Sequence, residues 1–78
     1  MALGDLLRKY RLKHGLTLQD VAIEIGTSPN FVSLMERGKS HIPLKKLAAI
    51  MEFLGISRHQ VLECLMEEYK KQIVSELK

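Results

Sequence analysis

Thr17-Leu18-Gln19-Asp20-Val21-Ala22-Ile23-Glu24-Ile25-Gly26, followed by Thr27-Ser28-Pro29-Asn30-Phe31-Val32-Ser33-Leu34-Met35-Glu36-Arg37-Gly38, is the stretch that decides the fold. Thr17 with Asp20 three residues on has the form of a capping box and opens a helix with Leu18, Val21, Ala22 and Ile25 on its inner face. Gly26 stands where that helix must end and the chain must turn with positive φ. Two residues later Ser28 is a natural N-cap, and Pro29 takes the first helical position, where its missing N–H costs nothing. The second helix turns Val32 and Met35 inward, against Ala22 and Ile25, and stops at Gly38. Ala22 is small where the two helices approach most closely. On spacing alone, this is either a helix-turn-helix or any two-helix corner of a bundle.

Outward from that corner the pattern stays helical. Leu3, Leu6, Leu7, Tyr10 and Leu12 predict a first helix ending at about Lys13, with His14 and Gly15 behind it. Lys39 to Ile42 read as a loop, and Pro43 starts a fourth helix with Leu44, Leu47, Ala48, Ile50, Met51 and Leu54 as its apolar face. Gly55 closes it. Ser57 with Gln60 is a second capping box, and nothing breaks the helix from there to Leu77. Five helices, no strand and short gaps predict one compact all-α domain over residues 1–78.

Composition agrees. The chain has 78 residues, 46% of them hydrophobic and 27% charged, as a folded domain has and a disordered one has not. No apolar run approaches a membrane span, and Asp5, Arg8 and Lys9 interrupt any secretory leader. Cys64, the single cysteine, excludes an internal disulfide and a thiolate zinc cluster. A cytoplasmic protein without cofactor or metal is expected. Residues 1–46 carry eight Lys/Arg against four Asp/Glu, whereas residues 47–78 carry four against five. The positive surplus therefore sits in the half that holds the corner, where a polyanion would be drawn. His14, His41 and His59 lie far apart, and no Asp or Cys stands at a catalytic or ligand spacing, so no enzyme is expected.

Three blocks then join. Arg11-Leu12-Lys13-His14-Gly15-Leu16-Thr17, Ile25-Gly26-Thr27-Ser28, and Val32-Ser33-Leu34-Met35-Glu36-Arg37-Gly38-Lys39 with Pro43 and Leu47 resemble the Cro/CI-type helix-turn-helix family. These lambda repressor-like proteins are small bacterial and phage regulators, and the resemblance covers roughly residues 3–64. It implies a five-helix domain with a helix-turn-helix core over 17–38. Residues 29–37 become the recognition helix, lying in the major groove of double-stranded DNA. Pro29, Asn30, Ser33 and Leu34 become the base-facing positions. Asn30 can pair bidentately with adenine, and Leu34, if it is not core, suits a thymine methyl. Phe31 either packs beside the turn or leans on the backbone.

Phosphate contacts are expected from Thr17 and Ser28 at helix N-termini, and from Lys39, Ser40, Lys45 and Lys46. The two adjoining lysines of this set also suit an ordinary solvated face. Many members carry Gln where this chain has Leu18, so Gln19 or Thr17 is the substitute anchor. Glu36 on a DNA-facing helix must turn inward, and the resemblance pairs it with Arg11.

The last helix outruns what such a core needs. The family core uses only its first turns, here Val61, Leu62 and Leu65, and Cys64 beside them reads as a packed thiol. Residues 58–78 as a helix are about 31 Å long. Leu62, Met66, Tyr69 and Ile73 form a 4-3-4 seam, extended by Val74 and Leu77. Met66, Tyr69, Ile73, Val74 and Leu77 are the expected interface of a homodimer that reads a palindromic operator as a repressor. Two other readings stand beside it. In one the helix folds back over the first and the protein is a monomer. In the other the chain is an antitoxin or adaptor whose C-terminal helix (57–78) binds a different protein.

Overall fold

In the computed structural model, which describes residues 1–77, five helices follow one another: α1 (Leu3–Lys13), α2 (Leu18–Ile25), α3 (Pro29–Glu36), α4 (Leu44–Leu54) and α5 (Arg58–Glu76). Lys78, to which the sequence reading carries the last helix, lies outside the described residues. The helix starts follow local chemistry. Thr17 Oγ1 accepts from Asp20 N at 3.0 Å while Thr17 N donates to Asp20 Oδ2 at 2.8 Å, a complete capping box. Ser28 Oγ accepts from Phe31 N at 3.1 Å, and Ser57 with Gln60 closes the second box. Gly26 holds φ 71° at the C-cap of α2, where Thr27 N reaches back to Ala22 O at 2.9 Å.

The core gathers Leu7, Val21, Val32, Met35, Ile50 and Leu54, each less than 2% exposed. α2 and α3 lie at its centre, with α1 and α4 against them. Gly4 makes a close approach possible: a Cβ there would stand 2.4 Å from the Met35 carbonyl oxygen and 2.6 Å from that of Glu36. α1 therefore rests backbone to backbone on the last turn of α3.

Three apolar faces differ from those the sequence predicts. On α1, Leu12 is 55% exposed and Arg11 takes the inward place beside Leu7. On α4, Leu44 is 81% exposed and Ala48 is on the surface, while Ala49 and Phe53, outside the predicted face, join Met51 in packing partly against the core. On α5, Val61 and Cys64 are buried, but Leu62 and Leu65 are exposed. The reason is common to all three. Which side of each helix its neighbours cover is set by how the bundle packs. The covered stripe is therefore shifted to Arg11 on α1 and to Ala49 and Phe53 on α4, and an adjoining apolar residue is left over on each helix. Beyond Cys64 every described residue of α5 is exposed, and the molecule measures 41 × 24 × 21 Å.

Candidate nucleic-acid interface

α3 is held from behind. Val32 and Met35 are buried under it, and Glu36 is buried at its last turn. Arg11 Nε donates to Glu36 Oε2 at 2.6 Å and Nη2 to Oε1 at 3.0 Å, a two-pronged ion pair. Its third prong, Nη1, donates to Leu16 O at 2.9 Å, so one guanidinium ties α1, the α1–α2 loop and α3 together. The Glu36 hydrogen bond raises the Arg11 pKa above its ordinary value, against the opposing effect of burial. The carboxylate is thus neutralised on the inner side, and the outer side of α3 carries no acid.

On that outer side Asn30 is exposed, while Pro29, Ser33 and Leu34 are half-buried. Leu34 is not among the apolar side chains that pack on the core, whereas Phe31 is. Phe31 thereby takes the packing role of its two sequence alternatives. Asn30 offers an amide with both a donor and an acceptor group to whatever approaches.

The expected phosphate residues fall into two groups. Gln19, Lys39 and Lys45 are exposed, and Ser40 is half-buried with its hydroxyl donating to His41 O at 3.4 Å. The side chains of Thr17 and Ser28 are occupied as caps, leaving backbone N–H groups of the first turns as donors. At Thr17 the Asp20 carboxylate shares the helix end, its pKa lowered chiefly by the Thr17 backbone N–H, and it sets a negative charge there. Lys46 differs from expectation. Its ammonium donates to Ile25 O at 3.0 Å and Gly26 O at 3.3 Å, so it caps the end of α2 instead of standing free for a phosphate. A cation at a helix C-terminus meets unsatisfied carbonyls and the negative end of the dipole, which explains the preference.

Two residues that the sequence reading leaves out lie at this edge. Arg8 and Arg37 are exposed and line one shallow depression with Leu18 and Ser33, above the Arg11–Glu36 pair. Arg8 lies three residues before Arg11, the same side of α1, and that spacing was the available signal. The histidines are dispersed: His14 Nε2 meets Leu54 O at 2.9 Å, and His59 pairs with Glu63 along α5.

At a distance from this face, Met66, Tyr69, Val74 and Leu77 are at least 59% exposed and Ile73 is 37% exposed. At 100° per residue, Val74 projects from the flank of the Leu62–Ile73 seam and not from its centre. No described helix is long and apolar enough to cross a membrane.

Comparison with known proteins follows the same lines. The chain is similar to the HTH-type transcriptional regulator DdrOP3 of Deinococcus deserti, 35% identical over 63 residues, which are 81% of this chain and 49% of that protein. The chain thus spans about half the length of this curated relative. Among solved structures it is similar to the clp gene regulator ClgR from Corynebacterium glutamicum, with TM-score 0.73 and 32% identity over 95% of this chain and 79% of that one. A variant of the restriction-modification controller protein C.Esp1396I, bound to its highest-affinity operator site, is similar with TM-score 0.64 and 31% identity over 83% of this chain and 86% of that one. A family model described as helix-turn-helix matches residues 7–61. With α2 and α3 meeting across Gly26 and α3 locked from behind, the chain belongs to the Cro/CI-type helix-turn-helix family of DNA-binding transcriptional regulators.

Proposed function

We propose that this chain is a sequence-specific regulator that represses transcription by occupying a palindromic operator as a homodimer, in the cytoplasm. The observation that carries the reading is the two-sidedness of α3: Val32, Met35 and Glu36 buried behind, Asn30 exposed in front. Asn30 reads adenine through its amide, worth about 1–3 kcal/mol of discrimination, and Leu34 with Pro29 supplies apolar contact to a thymine methyl. Ser33 reaches a base or a phosphate. Gln19, Lys39, Ser40 and Lys45 hold the backbone, with the N–H groups behind Thr17 and Ser28, and Arg8 and Arg37 add to them at the α1–α3 depression. Lys46 is not part of this set.

Selection from random duplexes with the purified protein tests the reading, the expected product being a two-fold symmetric site with half-sites about one helical turn apart. Asn30→Ala relaxes the preference at one position of each half-site. Recovery of no enriched duplex at low salt would refute it. A second reading, an antitoxin or adaptor, is favoured by the uncovered apolar stripe on α5, which accepts a different protein as readily as a copy. A second polypeptide co-purifying in fixed ratio would support that reading.

A further inference from the structure

The seam on α5 has a symmetry that sets how two copies meet. Leu62, Met66, Tyr69 and Ile73 are 56%, 59%, 64% and 37% exposed, on the side of α5 away from buried Val61 and Cys64. Their spacings read the same from either end, and the midpoint falls between Glu67 and Glu68. A two-fold axis through that midpoint sets Leu62 against the partner's Ile73 and Met66 against the partner's Tyr69. Each apolar residue then finds an apolar counterpart, and the thioether meets an aromatic ring.

The flank carries the second, independent observation. Glu63 follows Leu62 and Lys70 follows Tyr69, so both project from the same side of the seam, and both are exposed. In an antiparallel pair like flanks face each other, which brings Glu63 beside the partner's Lys70, about 3 Å apart along the axis and within reach of both long side chains, twice by symmetry. In a parallel pair each flank faces the opposite one, which here carries Arg58, Leu65 and Gln72. Glu63 then meets the partner's Arg58, but Lys70 faces the partner's Leu65, and Glu76, fourteen residues on from Leu62, stands against its own copy. Among the described residues Glu63 Oε1 meets His59 Nε2 at 2.8 Å, an exposed contact on its own helix. Beyond the seam, Arg58 and His59 come opposite the partner's Glu76.

We propose that the occupant of this stripe is a second copy of the chain, docked with its α5 antiparallel and centred on Glu67–Glu68. The proposal rests on the homodimer reading and adds its orientation. Cysteine cross-linking of the full chain separates the two. Leu62→Cys and Ile73→Cys change exposed residues, and the parent, whose Cys64 is buried, runs alongside as background. Mixed and oxidised, the two variants give a disulfide-linked pair. Each alone gives none above the parent, because like positions then stand roughly 16 Å apart along the axis and a disulfide needs Cα atoms within about 7 Å. Glu63→Lys or Lys70→Glu weakens dimerisation about five-fold, and the double exchange restores it. Efficient self-linking of Ile73→Cys in a protein of dimer mass overturns the orientation and leaves the dimer. A monomer mass by sedimentation at tens of micromolar overturns both, with or without another polypeptide bound.

Discussion

An acid on the helix that faces DNA is tolerated here because Arg11 takes it inward. The pair is buried and hydrogen-bonded on three prongs, so removing one member leaves a charge without a partner in the core. Glu36→Gln should lower unfolding free energy by about 3 kcal/mol, read as a lower urea midpoint at unchanged slope. Gly4 has a different reason to be what it is. Gly4→Ala drives a methyl into the Met35 and Glu36 carbonyls, and although alanine favours helices, an overall loss of about 1–3 kcal/mol is expected in the thermal melt. Amide shifts in the last turn of α3 should accompany it. Arg11 and Glu36 were paired on resemblance, and nothing in local pattern marks Gly4. Its role depends on a helix more than thirty residues away.

At the scale of the element, caps decide starts and stops, and two of them make separable statements. Asp20 in the α2 capping box has its pKa lowered, so its contribution is present above the unfolded value of about 3.9 and is lost as pH falls through the lowered one. The melting-temperature advantage of the wild type over Asp20→Asn should therefore hold at pH 6 and fade below about pH 4. Lys46 and Lys39 look alike in sequence and differ in use. Lys46→Gln should lower the melting temperature and leave the salt dependence of DNA binding unchanged, since its ammonium serves the Ile25 and Gly26 carbonyls. Lys39→Ala should leave the melt unchanged and reduce the slope of log K against log salt by about 1. The helices themselves were legible in the chain because capping boxes, an N1 proline and a turn glycine act within four residues. The faces of α1, α4 and α5 were less so. Leu12, Leu44 and Leu65 satisfy an apolar period, yet no neighbouring helix arrives to cover them.

For the whole molecule, the question is what covers the outer half of α5. Tyr69 is 64% exposed, so Tyr69→Glu should leave the helix content of the domain unchanged and yield a monomer in sedimentation. Its melting temperature should fall only by what the lost dimer contributed, a difference that grows with protein concentration. Its operator affinity should then fall by at least ten-fold, because two half-sites no longer bind as one unit. The wild type should sediment at twice its chain mass under the same conditions. The extended seam was visible in sequence as a stripe longer than its own core. In space the same fact is the exposure of every described α5 residue beyond Cys64.

The chain by itself determined five helices and a tight turn at Gly26, because each depends on hydrogen bonds and periodicity spanning a few residues, while the outward place of Asn30 on α3 rested on the family resemblance. Tertiary structure alone decided that Lys46 closes α2, that Arg8 and Arg37 gather beside Ser33, and that Phe31 packs while Leu34 does not. Those outcomes depend on which helices arrive as neighbours and how much surface they leave uncovered, and a local pattern of residues carries neither quantity.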